Sequence, residues 1–135
     1  MTFLYLGSPY SHPDPAVQEE RYNLVLTAMA EIAQFRIPVY CPIAIWHPAA
    51  LAHKLPGDHL FWEAQDEAFL RSCYMGWFLT IPGHDSSSGI KMEKEKLSKM
   101  GKPFWDVSLD TLTLSCEDLL RRGAFDATRV ERTRA

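Results

Sequence analysis

The chemistry-bearing residues of this sequence are two acids set at helical positions that ordinarily bury hydrocarbon. The stretch Ser86-Ser-Ser-Gly-Ile-Lys-Met-Glu93 opens a helix with Ser87 or Ser88 as its cap. The residues that follow divide into two faces with a period near 3.6. Ile90, Leu97 and Met100 form the apolar stripe, and Glu93 lies in it, while Lys91, Glu95 and Lys99 share the opposite side. Taking an ionised carboxylate out of water costs on the order of several kcal/mol unless a partner or a substrate compensates. Capping does not account for Glu93, because a capping box would need Ser or Thr where the chain has Ile90. Glu93 either serves a site or sits at the edge of the stripe and bends to water. Asp66 repeats the pattern, one turn from both Trp62 and Leu70, with Phe69 and Cys73 inward and Glu63, Glu67 and Arg71 outward. It either bonds a neighbouring backbone group or Arg21, or shares a site with Glu93, and the presence of both acids favours the shared site.

Strands and helices must alternate to bring these acids together. Residues 3–7 read as a short buried strand, residues 8–14 as a loop, and Asp14-Pro15 as the start of a helix reaching Phe35. Its inward stripe is Val17, Leu24, Val25, Ala28, Ile32 and Phe35. Arg21 falls in that stripe, either with its stem on the core and its guanidinium in water, or as an anion clamp beside the first loop. Residues 38–42 read as a second strand, and the proline-punctuated residues 43–57 as a long loop forming one wall of a site, with Trp46 and His47 in it. His47, His53, His59 and Asp58 lack metal-ligand spacing, so no metal is expected. A helix over residues 58–73, a central strand over 75–81, the Glu93 helix, a strand over 104–107 and a helix over 111–122 with Leu112, Leu114 and Leu119 inward complete the order. Five of the eight arginines fall in the last fifteen residues, and the chain after about residue 123 reads as a tail or a subunit contact.

This order predicts a single α/β domain over residues 1–135: a flavodoxin-like or Rossmann-like three-layer sandwich around a mainly parallel sheet of four to five strands. Ligands of such sheets bind at the carboxyl ends of the strands, where residues 7–14, 43–57 and 82–89 would meet. A length of 135 residues suffices for one core, and 47% hydrophobic and 23% charged residues describe an ordinary globule. A net charge of −3 argues against a nucleic-acid binder. Three dispersed cysteines argue against disulfides or structural zinc and suit a reducing cytoplasm. No run approaches a membrane span, and neither a dinucleotide glycine fingerprint, a P-loop nor a GxSxG elbow occurs.

Two stretches carry a resemblance. Tyr5-Leu-Gly-Ser-Pro-Tyr-Ser11 resembles the first strand and loop of the nucleoside 2-deoxyribosyltransferase superfamily. Ser87-Ser-Gly-Ile-Lys-Met-Glu93, followed at a helix's length by Gly101-Lys-Pro103, resembles its catalytic helix, and the likeness covers roughly residues 2–107. The resemblance implies that Glu93 acts at the anomeric carbon of an N-glycoside, that Asp66 contacts the base or sugar, and that Tyr5 with Gly7, Ser8, Pro9 and Tyr10 holds the sugar. Ser87 falls where phosphate-recognising members carry a serine, which favours a nucleoside 5′-monophosphate, and Ser88 and Gly89 would add helix-start N–H donors. Arg21 would help to bind the substrate, and Trp46, His47, Phe61 and Trp62 could wall the base. It implies no cofactor, a small nucleoside or nucleotide as the partner, and a homodimer or larger assembly. The chain departs from the family at Lys94-Glu-Lys-Leu97, where small apolar residues ordinarily let the helix approach the sheet. A non-catalytic module sensing a nucleotide or an ADP-ribose-like ligand is the competing expectation, and a flavin-binding flavodoxin relative a third.

Overall fold

Alternation along two short strands sorts the core into two layers. The computed structural model describes residues 2–123. It orders β1 (Leu4–Gly7), α1 (Pro15–Gln34), β2 (Val39–Tyr40), α2 (Pro42–His53), α3 (His59–Ser72), β3 (Met75–Leu79), α4 (Ser88–Lys99), β4 (Phe104–Val107) and α5 (Leu112–Arg121) along the chain. The arginine-rich tail lies outside the described residues, apart from its first few. All four strands are parallel, in the order β2-β1-β3-β4, with Tyr5 beside Gly76 and Gly7 beside Phe78. Leu4, Leu6, Met75, Trp77 and Leu79 face Val25, Ala28 and Ile32 of α1 and Leu112, Cys116 and Leu119 of α5. Tyr5 and Phe78 point the other way, onto Leu70 of α3 and Ile90 and Leu97 of α4. The architecture is therefore the expected flavodoxin-like sandwich, with four strands. No helix among the described residues is long and apolar enough to cross a membrane.

Three expectations are corrected. The supposed loop over residues 43–57 is mostly helix α2. Pro42 occupies its first turn, where a missing N–H costs nothing. Pro48 lies inside it and removes one internal bond, which the alanine-rich turns and packing on α1 outweigh. The helix stops where Lys54 turns left-handed at φ 51° and the Leu55 N–H reaches back to the Ala50 carbonyl at 3.0 Å. The second strand shrinks to two residues because α2 begins immediately after Cys41. In α5 the inward positions are Leu112, Cys116 and Leu119, while Leu114 is exposed, since it lies two residues after Leu112, on the far side of a helix.

Lys102 holds α3 in place from outside. Its ammonium donates to the carbonyl oxygens of Leu70 and Cys73, both at 2.8 Å, and to that of Arg71. These are acceptors that a helix end leaves unsatisfied. Lys102→Met should therefore lower stability by about 1–3 kcal/mol, read as a lower urea midpoint at unchanged slope.

Candidate active site

The strand order reverses between β1 and β3, and there the chain encloses a cavity of about 430 Å3, a size suited to a small organic ligand. Its walls are the loop after β1, the α2 helix and the segment following it, one face of α3, and the start of α4. The sheet positions the first of these and the two helices position the acids.

Glu93 and Asp66 both line this cavity. Each is half-buried, so neither bends freely to water. Glu93 Oε1 lies 3.6 Å from where a Cβ on Gly7 would stand, which puts the carboxylate over the end of β1. Burial, with a smaller push from the Asp66 charge, raises Glu93 to about 8 against the pull of the Tyr5 hydroxyl and Lys96. Burial likewise raises Asp66 to about 6, against the pull of Lys96. Arg21 makes no bond to Asp66; its guanidinium donates instead to the carbonyls of Tyr10 and Ser11, at 3.3 and 3.0 Å. Tyr5 lies beneath the acids, fully buried. Its hydroxyl is near enough to ease the ionisation of Glu93, yet completes no hydrogen bond of ordinary geometry. Among the described residues the other buried side-chain polar atoms without a partner are the Tyr40 hydroxyl and Trp46 Nε1, which cluster at the same place.

The other end of the cavity gathers hydrogen-bond donors. Ser87, not Ser88, caps α4, its Oγ accepting the Ile90 N–H at 3.2 Å. The hydroxyl proton of Ser87 remains free to donate, and the N–H groups of Ser88 and Gly89 have no acceptor within the helix. Arg21 packs on Gly83 so closely that a Cβ there would strike its guanidinium, and Gly83 has φ 98°. The guanidinium thus bridges the loops after β1 and β3 at the cavity wall. Gly7 and Ser8 face the cavity, whereas Pro9 is packed away inside the protein.

Trp46 and Trp62 form an apolar wall, their rings 5.4 Å apart, and Trp62 Nε1 donates to the Pro56 carbonyl at 2.8 Å. Phe61 rests edge-on against Trp62 and is largely exposed. His47 is no free stacking surface, because both ring nitrogens are engaged: Nδ1 with the Tyr10 hydroxyl, and Nε2 with Glu19 Oε2 at 2.7 Å. Tyr22 covers its face at 4.4 Å. Among the described residues no three His, Cys, Asp or Glu side chains gather as a metal ion would require.

Sequence spacing did not reveal Glu19, Tyr22 and Lys96. Glu19 meets His47 across 28 residues, a contact that exists only because residues 42–53 form a helix packed on α1. Lys96 was legible in principle, since it sits three residues beyond Glu93, and it is tied to Glu63 at 3.2 Å.

No curated protein sequence matches the chain. A family model described as a domain of unknown function (DUF1937) matches residues 2–108. That span runs from the residues leading into β1 through β4 and takes in every wall of the cavity, so the chain belongs to this family.

Proposed function

We propose that the cavity cleaves the N-glycosidic bond of a nucleoside or, with preference, a nucleoside 5′-monophosphate. The observation that carries this reading is the pair of half-buried carboxyls, Glu93 and Asp66, facing one small cavity whose far end offers hydroxyl, N–H and guanidinium donors. Breaking the bond builds positive charge at the anomeric carbon and negative charge on the departing base. A carboxylate at the first and an acid at the second are the two groups needed. Glu93 stands at the anomeric carbon and Asp66 at the base, with Trp46 and Trp62 against its ring. Ser87, Ser88, Gly89 and Arg21 receive the phosphate. The apolar wall and the buried tyrosines lower the dielectric around the acids, which strengthens the attraction between an ionised Glu93 and a cationic sugar.

The working form of such a pair carries one proton. With the two carboxyls raised to about 6 and about 8, both are protonated below that window and both ionised above it. The proton of the singly protonated pair rests mainly on Glu93, the group with the higher value, and the form that reacts is its tautomer, with Glu93 ionised and the proton on Asp66. The share of that form peaks between the two values, so kcat/KM should trace a bell with its top near neutrality, and a pH series on the wild type measures it. The function itself is tested by chromatographic assay of base release from ribo- and deoxyribonucleosides and their 5′-monophosphates, wild type beside Glu93→Ala. Release from monophosphates that the variant lacks supports the reading. Absence of release with a nucleotide-dependent rise in melting temperature instead assigns the cavity to a ligand-sensing module.

A further inference from the structure

Tyr10 faces the cavity from the loop after β1, and behind it the side chains of His47 and Glu19 form a hydrogen-bonded line leading out to solvent. The direction of each bond follows from elementary chemistry. A carboxylate only accepts, so the 2.7 Å contact places the imidazole hydrogen on Nε2, pointing at Glu19. In the neutral imidazole Nδ1 then carries a lone pair, and the Tyr10 phenol donates to it. What Tyr10 offers the cavity is therefore an acceptor oxygen. The imidazole is 3% exposed, held between the Tyr22 ring and the Tyr10 edge, and Arg21 fixes the Tyr10 backbone through its carbonyl. This is the logic of a nucleophile–histidine–carboxylate relay with a phenol in the first position.

We infer that Tyr10 is the proton acceptor for the water that attacks the anomeric carbon, and that His47 and Glu19 are positioning residues that take and stabilise the proton. The inference rests on the N-glycosidic reading above. In the step, the water oxygen bonds to the anomeric carbon and the glycosidic electron pair leaves with the base, which takes its proton from Asp66. The water proton passes to the Tyr10 oxygen while the Tyr10 proton passes to His47 Nδ1. Glu19 faces the resulting imidazolium, and exchange with solvent resets His47 and Asp66. No phenolate accumulates, which agrees with burial and the Glu19 charge pushing the Tyr10 phenol above its ordinary range. The arrangement makes the site a hydrolase in preference to a transferase.

Azide tests this, because it is a nucleophile that has no proton to lose. With nucleoside 5′-monophosphates as substrates, Tyr10→Phe should release base about 10²-fold more slowly than wild type. Added sodium azide should restore the rate and yield a glycosyl azide. His47→Asn should behave in the same way, and Glu93→Gln should not be rescued. A folded Tyr10→Phe that keeps the wild-type rate, or is slow but unmoved by azide, overturns the relay and leaves the N-glycosidic reading standing. A wild type that releases no base from any member of the panel removes both.

Discussion

Glu93→Gln should lower base release by about 10⁴-fold at neutral pH and, in the same protein, raise stability in alkali. The amide keeps the volume and much of the hydrogen bonding of the acid but cannot carry charge opposite a developing sugar cation. The stability effect has the opposite sign because of where the folded pKa lies. Burial raises Glu93 from an ordinary 4.5 to about 8. The group's favourable contribution is therefore complete below the unfolded value and is lost as pH climbs through the folded one. Above pH 8 the wild type must keep an ionised carboxylate away from water, at a cost of about 2–4 kcal/mol, and the amide has no such cost. Melting curves at pH 9 should place the variant roughly 5–15 °C above wild type, with little difference at pH 4. A variant that is less stable at both pH values would show Glu93 to be a structural acid, and one that retains activity would end its catalytic assignment.

That opposition between stability and chemistry was the signal readable in the sequence. Glu93 stood out because Ile90 and Leu97 define a buried stripe, and they are indeed buried at 4% and 0% exposure. Asp66 stood out by the same geometry against Leu70. Period-based reasoning works here because a helix face is a local property, and β3 and β4 were legible for the equally local reason of short apolar runs between breakers. What depended on contacts between distant segments was not legible. Proline at 42 and 48 suggested a loop, although the first sits where a helix tolerates it. With α2 read as loop, His47 had no neighbour on α1 and its bond to Glu19 could not be anticipated. The alternating Leu112-Thr-Leu114 likewise hid Cys116 as the residue that α5 buries. Ser87 and Arg21 are legible as donors from residue type alone, and the structure adds how Arg21 is held, through two loop carbonyls and the bare backbone of Gly83.

The charged run Lys94-Glu-Lys-Leu97 does not hold α4 away from the sheet, because the space is found on the sheet's side. Lys94 spreads over the rings of Phe78 and Phe104 at 5.3 and 5.9 Å and reaches Asp106 at 2.7 Å, and Lys96 turns to Glu63. Both flank the contact. At its centre Leu97 is wholly buried against Gly76 of β3, and a Cβ on Gly76 would lie 2.6 Å from Leu97 Cδ1. The absent side chain is thus what lets α4 approach, and Glu93 stands one turn before Leu97 on the same helix. Gly76→Ala should cost about 1–3 kcal/mol by overpacking, and Gly76→Val more, because the Cβ already stands 3.2 Å from Phe78 Cε2 and 3.5 Å from Phe104 Cβ and leaves its branches no room. Since Leu97 cannot leave the core, the helix must move, and a displacement of about 1 Å at Glu93 should slow base release by about 10²-fold. Leu97→Ala alone should cost about 2–5 kcal/mol through its cavity. Combined with Gly76→Ala it should cost less than the two separately, since the new methyl occupies part of the space released, and urea titration of the four proteins measures that coupling. Strict additivity would mean that the Gly76–Leu97 contact does not set the depth of α4, and the position of Glu93 would then have to be fixed from the Tyr5 side.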